Sequence, residues 1–301
     1  MSGQLMTSNQ DVPTTSFGMP LIGFGTYRLR GFECFEAIET ALATGYRHID
    51  TAMAYENEAE IGRALDTADV ARDQVFLTSK IKGYDEFLGP VQLRHSAEQT
   101  LRRLGVDTLD LLLVHWWNPY SDMNVTFGAL SDLVTDGLVD NIGVSNFSSI
   151  QLEAAIDAAS APIVTNQVEY HPYFDQSELL SCCRDHEVVL TAYSPLAEGR
   201  VVNDRLLQTI GDRYGKSAAQ VAIRWLLQQD GVATIPKSAT PANIAANLEI
   251  YDFELSPTEM RQINALKGPL WYRLKREGGP IHTVRSTIGP YVPRRIRFLV
   301  P

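Results

Sequence analysis

The chain of 301 residues is poor in cysteine, and its three cysteines form no paired pattern. Cys34 stands alone while Cys182 and Cys183 are adjacent, which matches neither a disulfide framework nor a zinc-binding spacing. We therefore expect free thiols and no metal site. This cysteine usage is typical of a reducing compartment, so the sequence predicts a cytoplasmic protein.

Long apolar runs and an excess of positive charge are also missing. No run of about 18 apolar residues suggests a membrane span. The polar start of the chain, MSGQLMTSNQDVPTT, does not resemble a secretory signal. Lys and Arg number 26 against 36 Asp and Glu, and the resulting net charge of −10 argues against general nucleic-acid binding. We expect a soluble protein with no nucleic-acid or membrane partner.

The positive charge that is present is concentrated at the C-terminus. Residues 267–301 contain eight Lys or Arg and one Glu, a net charge of +7, so the other 266 residues carry −17. This distribution predicts that the basic tail lies back on the acidic body or faces an anionic ligand.

Short β-type runs alternate with amphipathic helical stretches through most of the chain. Eight runs are predicted as strands: 20–25, 48–50, 75–78, 109–114, 142–144, 164–169, 188–193 and 232–235. Helices are predicted at 32–43, 58–65, 91–104, 127–135, 150–159, 177–186, 204–214, 218–228 and 241–248. Several strand runs are apolar almost throughout, as in a parallel sheet covered by helices on its faces.

Eight strand and helix units favour a closed (β/α)₈ TIM barrel over an open sheet. We find no internal repeat or linker, so residues 1–301 are predicted to form a single domain, with the barrel at about 15–266. A small N-terminal β-hairpin at 16–19 precedes the first strand run. An extra helix is expected after Ser256–Pro257, followed by the C-terminal extension, residues 267–301.

Four polar residues follow consecutive predicted strands, at the barrel end where working residues are found. They are Asp50 with Tyr55, then Lys80, then His115. A phenol has a pKa of about 10, and a neighbouring ammonium lowers it. A carboxylate can hold the ammonium in place, and an imidazole can orient a substrate oxygen. The four together predict a site that protonates a carbonyl oxygen. Each alone is weak evidence, since Asp50 could be a cap, Tyr55 a packing residue, Lys80 a solvated lysine and His115 a core histidine.

Eight sequence runs carry a resemblance to a known family. They are GFGTYR (23–28), GYRHIDTAMAYENE (45–58), VFLTSK (75–80), LDLLLVHW (109–116), IGVSNF (142–147), NQVEYHPY (166–173), TAYSPL (191–196) and IPKS (235–238). These runs, in this order, resemble those of the aldo-keto reductase superfamily, and among its members those of the diketo-gluconate reductases and aldehyde reductases. The resemblance implies reversible NAD(P)H-dependent reduction of an aldehyde or ketone. No G-x-G-x-x-G motif occurs, so a Rossmann site is not expected.

The resemblance also implies roles for individual residues. Tyr55 would be the proton donor, assisted by Lys80 and Asp50, while His115 would orient the carbonyl. The implied cofactor contacts are Gly25, Thr26, Tyr27, Asp50, Ser145, Asn146, Gln167, Tyr193, Ser194, Leu196, Lys237, Ser238 and Asn247. The implied substrate contacts are Tyr27, Tyr55, Lys82, His115 and Trp116, within an aromatic lining that includes Trp117 and Tyr120.

Two departures from the family pattern affect specificity. Asn243 and Ala246 stand where relatives carry an Arg and a Glu after the IPKS run, which weakens phosphate recognition. Lys237 can still hold a phosphate as a point charge, so NADPH is expected with NADH possible. Lys82 stands where relatives carry an aromatic residue. It is either a solvated loop lysine or a group that favours carboxylate-bearing substrates, together with a tail arginine such as Arg273 or Arg276.

Two other functions remain open at this point. A barrel of this type could serve as a cofactor-sensing subunit, or it could carry out other barrel chemistry, such as that of an isomerase or of an aldolase in which Lys80 forms a Schiff base. The complete set of four polar residues argues against the first, and the set Ser145, Asn146, Gln167 and Tyr193 is not needed by the second. The expected partner is a small-molecule carbonyl substrate, and the expected state is a monomer.

Overall fold

Eight parallel strands pair in chain order in the computed structural model, which describes residues 12–82 and 89–266. The strands are β1 (Phe24–Gly25), β2 (His48–Asp50), β3 (Phe76–Ile81), β4 (Leu109–Val114), β5 (Val139–Ser145), β6 (Ile163–Glu169), β7 (Val189–Tyr193) and β8 (Val232–Thr234). The chain therefore has the (β/α)₈ barrel that its alternating pattern predicts.

The first and last strands meet and close the barrel. Ile22 forms a parallel bridge with Thr234, and the Gly23 amide donates to the Thr234 carbonyl at 2.8 Å. The Thr234 amide in turn donates to the carbonyl of Leu21 at 2.8 Å. Because both edges of the sheet are joined, no strand edge is left unpaired at this seam.

A hairpin before β1, which the sequence predicts, covers the amino-terminal end of the barrel. Thr14 and Pro20 form an antiparallel bridge, and Phe17 and Met19 lie between them. The Phe17 ring lies 6.1 Å from the ring of Phe76 at the start of β3. Met19 packs with apolar side chains inside the barrel: Phe76, Leu111, Leu113 and Ala233. The hairpin therefore plugs this lower end, and the opposite end remains available for a site.

Ten α-helices surround the barrel or follow it in the described part of the chain. They are α1 (Gly31–Thr44), α2 (Glu58–Thr67), α3 (Pro90–Leu104), α4 (Met123–Thr135), α5 (Ser149–Ala158), α6 (Ser177–Asp185), α7 (Arg205–Tyr214), α8 (Ala218–Leu227), α9 (Pro241–Leu248) and α10 (Pro257–Asn264). The predicted extra helix is α10, where Ser256 accepts from the Glu259 amide in a capping box.

Two boundaries differ from the prediction in ways that matter. The helix α4 begins at Met123, four residues before the predicted start, because the Asp122 side chain accepts from the Val125 amide and caps it. The strand β3 continues to Ile81, so Lys80 lies inside the strand and is fully buried. The Lys80 ammonium therefore lies within the barrel wall and not in a solvated loop.

No helix in the described residues is long and apolar enough to cross a membrane. The basic tail at residues 267–301, which includes Arg273 and Arg276, lies outside the described residues, and its predicted docking stays a prediction.

Candidate active site

The four polar residues singled out in the sequence meet at the carboxyl end of the strands, the upper end of the barrel. Asp50 ends β2, Lys80 is the fifth residue of β3, and His115 directly follows β4. Tyr55 ends a short 3₁₀ turn, Met53–Tyr55, after β2. Lys80 Nζ lies 5.1 Å from the centroid of the Tyr55 ring, and the His115 ring lies 5.8 Å from it, edge to face.

Asp50 connects three strands of the barrel through its two carboxylate oxygens. Lys80 Nζ donates to Oδ1 at 2.5 Å, and Gln167 Nε2 donates to Oδ2 at 2.7 Å. Lys80 also donates to the carbonyl of Thr51 at 2.7 Å. Asp50 and Lys80 are both buried, and a buried charge is tolerated only when it is paired and hydrogen-bonded. Gln167 therefore does more than the sequence implied, because it also satisfies the carboxylate.

The pKa of Tyr55 departs from its expected direction. Burial raises this pKa well above its ordinary value of 10.0, and the negative charge of Asp50 adds to the rise. The net shift is therefore opposite to the lowering expected from Lys80 alone, because burial dominates it. The Asp50 carboxylate, 2.5 Å from the Lys80 ammonium, offsets part of the stabilisation that this ammonium gives the phenolate, and desolvation outweighs the rest. Tyr55 accordingly keeps its proton at neutral pH.

His115 is neutral at physiological pH. Burial lowers the pKa of its imidazole to about 3, and the positive charges of Lys80 and Lys82 lower it further. Burial also lowers the pKa of Lys80 from 10.5, a shift that the charge of Asp50 opposes. A protonated phenol and a neutral imidazole thus face the same space, and each can donate a hydrogen bond to an oxygen atom.

The residues expected to hold an amide lie together beside His115. Ser145 ends β5 and donates through Oγ to the carbonyl of Gln167 at 2.8 Å. Asn146 Nδ2 donates to the carbonyl of His115 at 3.0 Å, and the Tyr193 hydroxyl donates to Asn146 Oδ1 at 2.8 Å. Asn146 also has a positive φ of 62°. Non-glycine residues in this conformation are strained and concentrate at functional sites.

The ends of β1 and β8 approach each other closely at the barrel seam. A Cβ atom at Gly25 would lie 2.7 Å from the carbonyl oxygen of Ile235, so this position requires glycine. Thr26 is buried, and both its amide and its hydroxyl donate to the carbonyl of Asp50, at 3.1 and 2.9 Å. Lys237, two residues after Ile235, is exposed. An exposed ammonium therefore follows the last strand at this end of the barrel.

The other expected cofactor contacts differ in exposure. Ser194 directly follows β7 and has a positive φ of 50°. Leu196 is half-buried against the core. The Ser238 hydroxyl accepts from the Thr240 amide at 3.0 Å just before α9. Asn247, near the end of α9, is only 5% exposed, so little of its amide reaches the surface.

The expected substrate contacts border the phenol of Tyr55. The Tyr27 ring is 54% exposed and lies 5.1 Å from the Tyr55 ring. Trp116 is half-buried, with its ring 6.5 Å from that of His115. Lys82 is exposed directly after β3. These side chains form one rim of the upper end.

Two aromatic residues expected in the lining do not behave alike. Trp117 stacks on Phe127 at 6.4 Å and meets Phe147 edge to face at 6.0 Å, so it belongs to the packing between α4 and the barrel. Trp117 is half-buried, and its place in the lining of the pocket stays a prediction. Tyr120 is 86% exposed on the surface.

One residue that the sequence reading treated only as a helix start connects the loops of the site. Asn57 precedes α2, but its side chain makes no capping bond and turns inward, where it is fully buried. Its Oδ1 accepts from the Thr51 hydroxyl at 2.7 Å, and its Nδ2 donates to the carbonyls of Thr26 and Leu29 at 3.0 Å. Asn57 therefore holds the loop of Tyr27 against the strand end that carries Asp50.

Glu58, the next residue, was also missed by the sequence reading. Its carboxylate is buried, accepting from the Ser79 hydroxyl and from Arg103 Nε, both at 2.7 Å. It thus fixes the start of α2 to β3 and α3. A pair of consecutive polar residues at a helix start reads as an ordinary cap, and nothing in the sequence distinguishes a cap from a buried connection.

Comparison with known proteins gives this geometry a family. The model of the aldo/keto reductase family matches residues 21–267, which includes every strand of the barrel. The chain belongs to the aldo/keto reductase family. This reductase is 40% identical over 255 residues to the glyoxal reductase of Bacillus subtilis strain 168, covering 82% of this chain and 89% of that one. It is 38% identical over 251 residues to the methylglyoxal reductase DkgA of Escherichia coli K12, covering 82% and 90%.

Solved structures of related reductases have the same fold. A protein described as a candidate 2,5-diketo-D-gluconic acid reductase B has a TM-score of 0.82 and 42% identity, covering 86% of this chain and 91% of that one. The aldose reductase of Schistosoma japonicum has a TM-score of 0.77 and 33% identity, covering 87% and 94%. This protein is accordingly an oxidoreductase of a family whose related members reduce carbonyl compounds.

Proposed function

We propose that this reductase converts an aldehyde or ketone to the alcohol with NADPH, and that Tyr55 supplies the proton. The observation that supports this most is the pairing of a protonated phenol with a neutral imidazole 5.8 Å away, next to a buried Lys80–Asp50 pair. Both groups donate hydrogen bonds, so a carbonyl oxygen between them would be polarised towards accepting negative charge.

The raised pKa of Tyr55 suits the direction of reduction. When bound, NADPH supplies the hydride that turns the carbonyl carbon into an alcohol carbon. The oxygen then becomes far more basic than a phenolate and takes the proton from Tyr55. Lys80, held near the ring by Asp50, stabilises the phenolate that remains. His115 Nε2 or Nδ1 keeps the oxygen in place, and the hydrogen bond of Asn146 to its backbone fixes the loop.

The residues beside His115 fit a nicotinamide amide. Ser145, Asn146 and Gln167 provide hydroxyl and amide groups, which can both donate and accept, and Tyr193 provides a half-exposed ring next to them. In this proposal the amide binds to this group, the ring of Tyr193 lies against the nicotinamide, and Ser194 and Leu196 border the pyrophosphate. Gly25, Thr26 and Tyr27 border the cofactor from the β1 side.

We further propose NADPH with relaxed discrimination against NADH. Lys237 is an exposed ammonium after β8, and Ser238 adds a hydroxyl beside it, which suits a ribose phosphate. Asn243 is exposed on the first turn of α9 and Ala246 is half-buried, so neither supplies the guanidinium or the carboxylate of the family pattern. The ratio of the catalytic efficiency with NADPH to that with NADH should be well below the family norm, and Lys237→Ala should lower this ratio further. A strong NADPH preference that survives Lys237→Ala would exclude this view.

The central test is Tyr55→Phe, which removes only the phenolic oxygen. Turnover of glyoxal, methylglyoxal and simple aldehydes should fall by about 10³-fold or more, while quenching of NADPH fluorescence on binding should change little. Glyoxal and methylglyoxal come first because two relatives are named for them. Turnover that persists in Tyr55→Phe contradicts the proposed role. If the wild type quenches NADPH fluorescence but turns over no substrate, the result supports a cofactor-sensing subunit. If it quenches no NADPH fluorescence, the result supports a different barrel chemistry.

The position of Lys82 supports a preference among substrates. Its charge reaches His115 strongly enough to lower the imidazole pKa, so a carboxylate on the substrate would lie near a positive group. We propose that aldehyde or keto acids are reduced more efficiently than neutral analogues of the same size. Lys82→Ala should bring the ratio of catalytic efficiencies for the acid and its neutral analogue close to one. The rate with the neutral analogue should be nearly unchanged. An unchanged ratio in Lys82→Ala counts against it.

A further inference from the structure

Three possible metal ligands meet on the outer wall of the barrel, away from the upper end. They are Glu153 of α5, Cys182 of α6 and His186, which directly follows α6, and their ligand atoms all lie within 4.8 Å of one another. Cys182 Sγ lies 3.9 Å and His186 Nε2 lies 3.8 Å from the same oxygen, Glu153 Oε1. One point in space is therefore close to a thiol, an imidazole and a carboxylate.

We infer that Glu153, Cys182 and His186 form a binding site for Zn²⁺ that joins α5 to α6. Zinc binds to thiolate sulfur, imidazole nitrogen and carboxylate oxygen, with bond lengths of about 2.0–2.3 Å and a tetrahedral arrangement. Ligand atoms in such a site are separated by about 3.3–3.8 Å, as these bond lengths require. The observed separations of 3.8 and 3.9 Å are close to that range.

The side chains can make the small adjustment that a bound ion needs. Glu153 and His186 are 54% and 37% exposed, so both can change rotamer without disturbing the core. Cys182 lies in the last turn of α6 and His186 is the residue that directly follows this helix, so both side chains lie at its C-terminal end. Three protein ligands leave the fourth position to water.

The charges around the cluster favour a cation. Two exposed carboxylates besides Glu153 flank the cluster, since Asp185 directly precedes His186 and Glu187 directly follows it. The Ser149 hydroxyl hydrogen-bonds the thiol from α5. Metal binding would release the thiol proton to solvent as the thiolate binds to the ion, so the affinity should rise with pH.

This site would stabilise the fold and has no part in catalysis. An ion held by two neighbouring helices binds the native state in preference to the unfolded chain, and this shifts the unfolding equilibrium. The sequence-based expectation of no metal site considered only pairs of cysteines. Such a search does not include a thiol in the last turn of a helix, an imidazole just after that helix and a carboxylate from the preceding helix.

The test is a titration of the reduced, metal-free protein with ZnCl₂, followed by calorimetry and thermal unfolding. We expect one ion per chain with micromolar or tighter affinity and a Tm rise on the order of 5 °C. Cys182→Ser, His186→Gln and Glu153→Gln should each weaken binding by about tenfold or more. His95→Gln, which alters an exposed helical histidine on α3, is the matched control and should bind like the wild type.

Cobalt gives a readout that reports the ligands directly. CoCl₂ should produce a sulfur-to-metal absorption band in the wild type and in His95→Gln but not in Cys182→Ser. Absence of zinc binding at micromolar concentration overturns the inference, and so does binding that all three ligand variants retain. Reduction of aldehydes should be the same with and without the ion, so this result does not depend on the proposed function.

Discussion

The two ends of the barrel each contain a carboxylate bonded to a cation, yet their surroundings differ. The upper pair joins β2 to β3, and the lower pair joins the 3₁₀ turn Arg72–Gln74 to β4. At the upper end the Asp50–Lys80 distance is 2.5 Å, and the side chains are 2% and 0% exposed. At the lower end, the amino end of the strands, the Asp110–Arg72 distance is 2.6 Å, and the side chains are 24% and 34% exposed. The contacts are of nearly equal length, so only the access of water separates them.

Water access determines how much each pair depends on its partners. At the lower end, water can solvate either charge if the other is removed. At the upper end, an unpaired charge would stay in a medium of low polarity, which costs several kcal/mol. The upper pair is therefore stable only as a complete set with Thr51 and Gln167. A site built in this way holds its charges in fixed positions, which is useful where charge develops during a reaction.

The largest expected loss of stability comes from removing the cation of the upper pair, and removing the cation of the lower pair in a second variant gives the comparison. Lys80→Met should lower the free energy of unfolding by about 3–5 kcal/mol, because it leaves Asp50 charged and buried. Arg72→Met should cost only about 1 kcal/mol, since Asp110 is partly exposed and keeps the Leu77 amide as a donor at 2.8 Å. Urea unfolding of the two variants measures the difference.

The double variant Asp50→Asn with Lys80→Met is the control for the upper pair. It removes both charges and leaves an amide for Gln167, so most of the lost stability should return. Equal losses in Lys80→Met and Arg72→Met would show that burial is not the deciding factor.

A second test uses the pH dependence of stability at the lower end, where a titratable group is buried without charge. Burial lowers the pKa of His48 to about 4. Its Nδ1 lies 3.3 Å from the Pro20 carbonyl, an acceptor, so Nδ1 carries the proton and Nε2 accepts from the Thr78 hydroxyl at 3.1 Å. The unfolded chain takes up this proton near pH 6.5, before the folded chain does.

The contribution of His48 to the free energy of unfolding is therefore fully present above pH 6.5, and it is lost as the pH falls from 6.5 to 4. The shift of about 2.5 pKa units corresponds to a loss of about 3 kcal/mol. Urea unfolding at several pH values should show this slope in the wild type and a flatter one in His48→Gln. His95→Gln should keep the wild-type slope, and a slope unchanged in His48→Gln would assign the acid sensitivity to another group.

A third test compares the buried amide of Asn57 at the upper end with the half-buried amide of Asn141 at the lower end. Asn57→Ala should lower stability by about 2 kcal/mol, because it leaves the Thr51 hydroxyl and two carbonyls without their partner. It should also lower kcat by on the order of 10-fold to 100-fold, since the loops of Tyr27 and Tyr55 lose their common anchor. Asn141→Ala removes one bond, to the Asp110 carbonyl at 3.0 Å, and should cost about 1 kcal/mol with kcat unchanged.

The two readouts in this test separate positioning from stability alone. NADPH binding should change little in either variant, so the effect of Asn57→Ala should fall on kcat. Thr51→Val removes only the hydroxyl that donates to Asn57, and a double-mutant cycle should show coupling between the two. Equal kcat values for Asn57→Ala and Asn141→Ala would mean that Asn57 has no special role.

The smallest expected effect is at an exposed pair beside the site. Arg30 Nη1 donates to Glu56 Oε2 at 2.9 Å, but the side chains are 62% and 68% exposed. Arg30→Gln should change stability by less than about 1 kcal/mol and leave kcat unchanged, because water and salt screen the pair. Thermal unfolding of Arg30→Gln and the wild type at low and high salt measures this difference in stability. A loss near that of Lys80→Met would mean that bond length outweighs burial.

Much of the fold was predictable because periodicity is a local property of the chain. The apolar runs located every strand, and the helices α9 and α3 begin and end within a residue of the prediction. The start of α4 was missed although its signal, Asp122, is present in the sequence. The four polar residues were identified because each lies at or soon after the carboxyl end of a strand, and parallel strands all end on the same side.

What could not be predicted depends on burial and on long-range contacts. Gln167 reaches Asp50 across 117 residues, and the inward turn of Asn57 is set by three partners on two other segments. The direction of the Tyr55 pKa shift needed the balance between desolvation and a charge that Asp50 already neutralises. Sequence spacing carries no measure of how much water surrounds a side chain.

The seam between Ile22 and Thr234 has a consequence for how the protein is made. These two residues are more than 200 positions apart, so the bridge can form only after the ribosome has released the last strand. Until then every partial barrel has an open edge on β1 and another on the newest strand, and both can pair with other chains. Closure is thus a late, long-range step, and such steps make folding slow. When this reductase is synthesised rapidly, chains whose barrel has not yet closed should therefore aggregate before any folded but inactive protein accumulates.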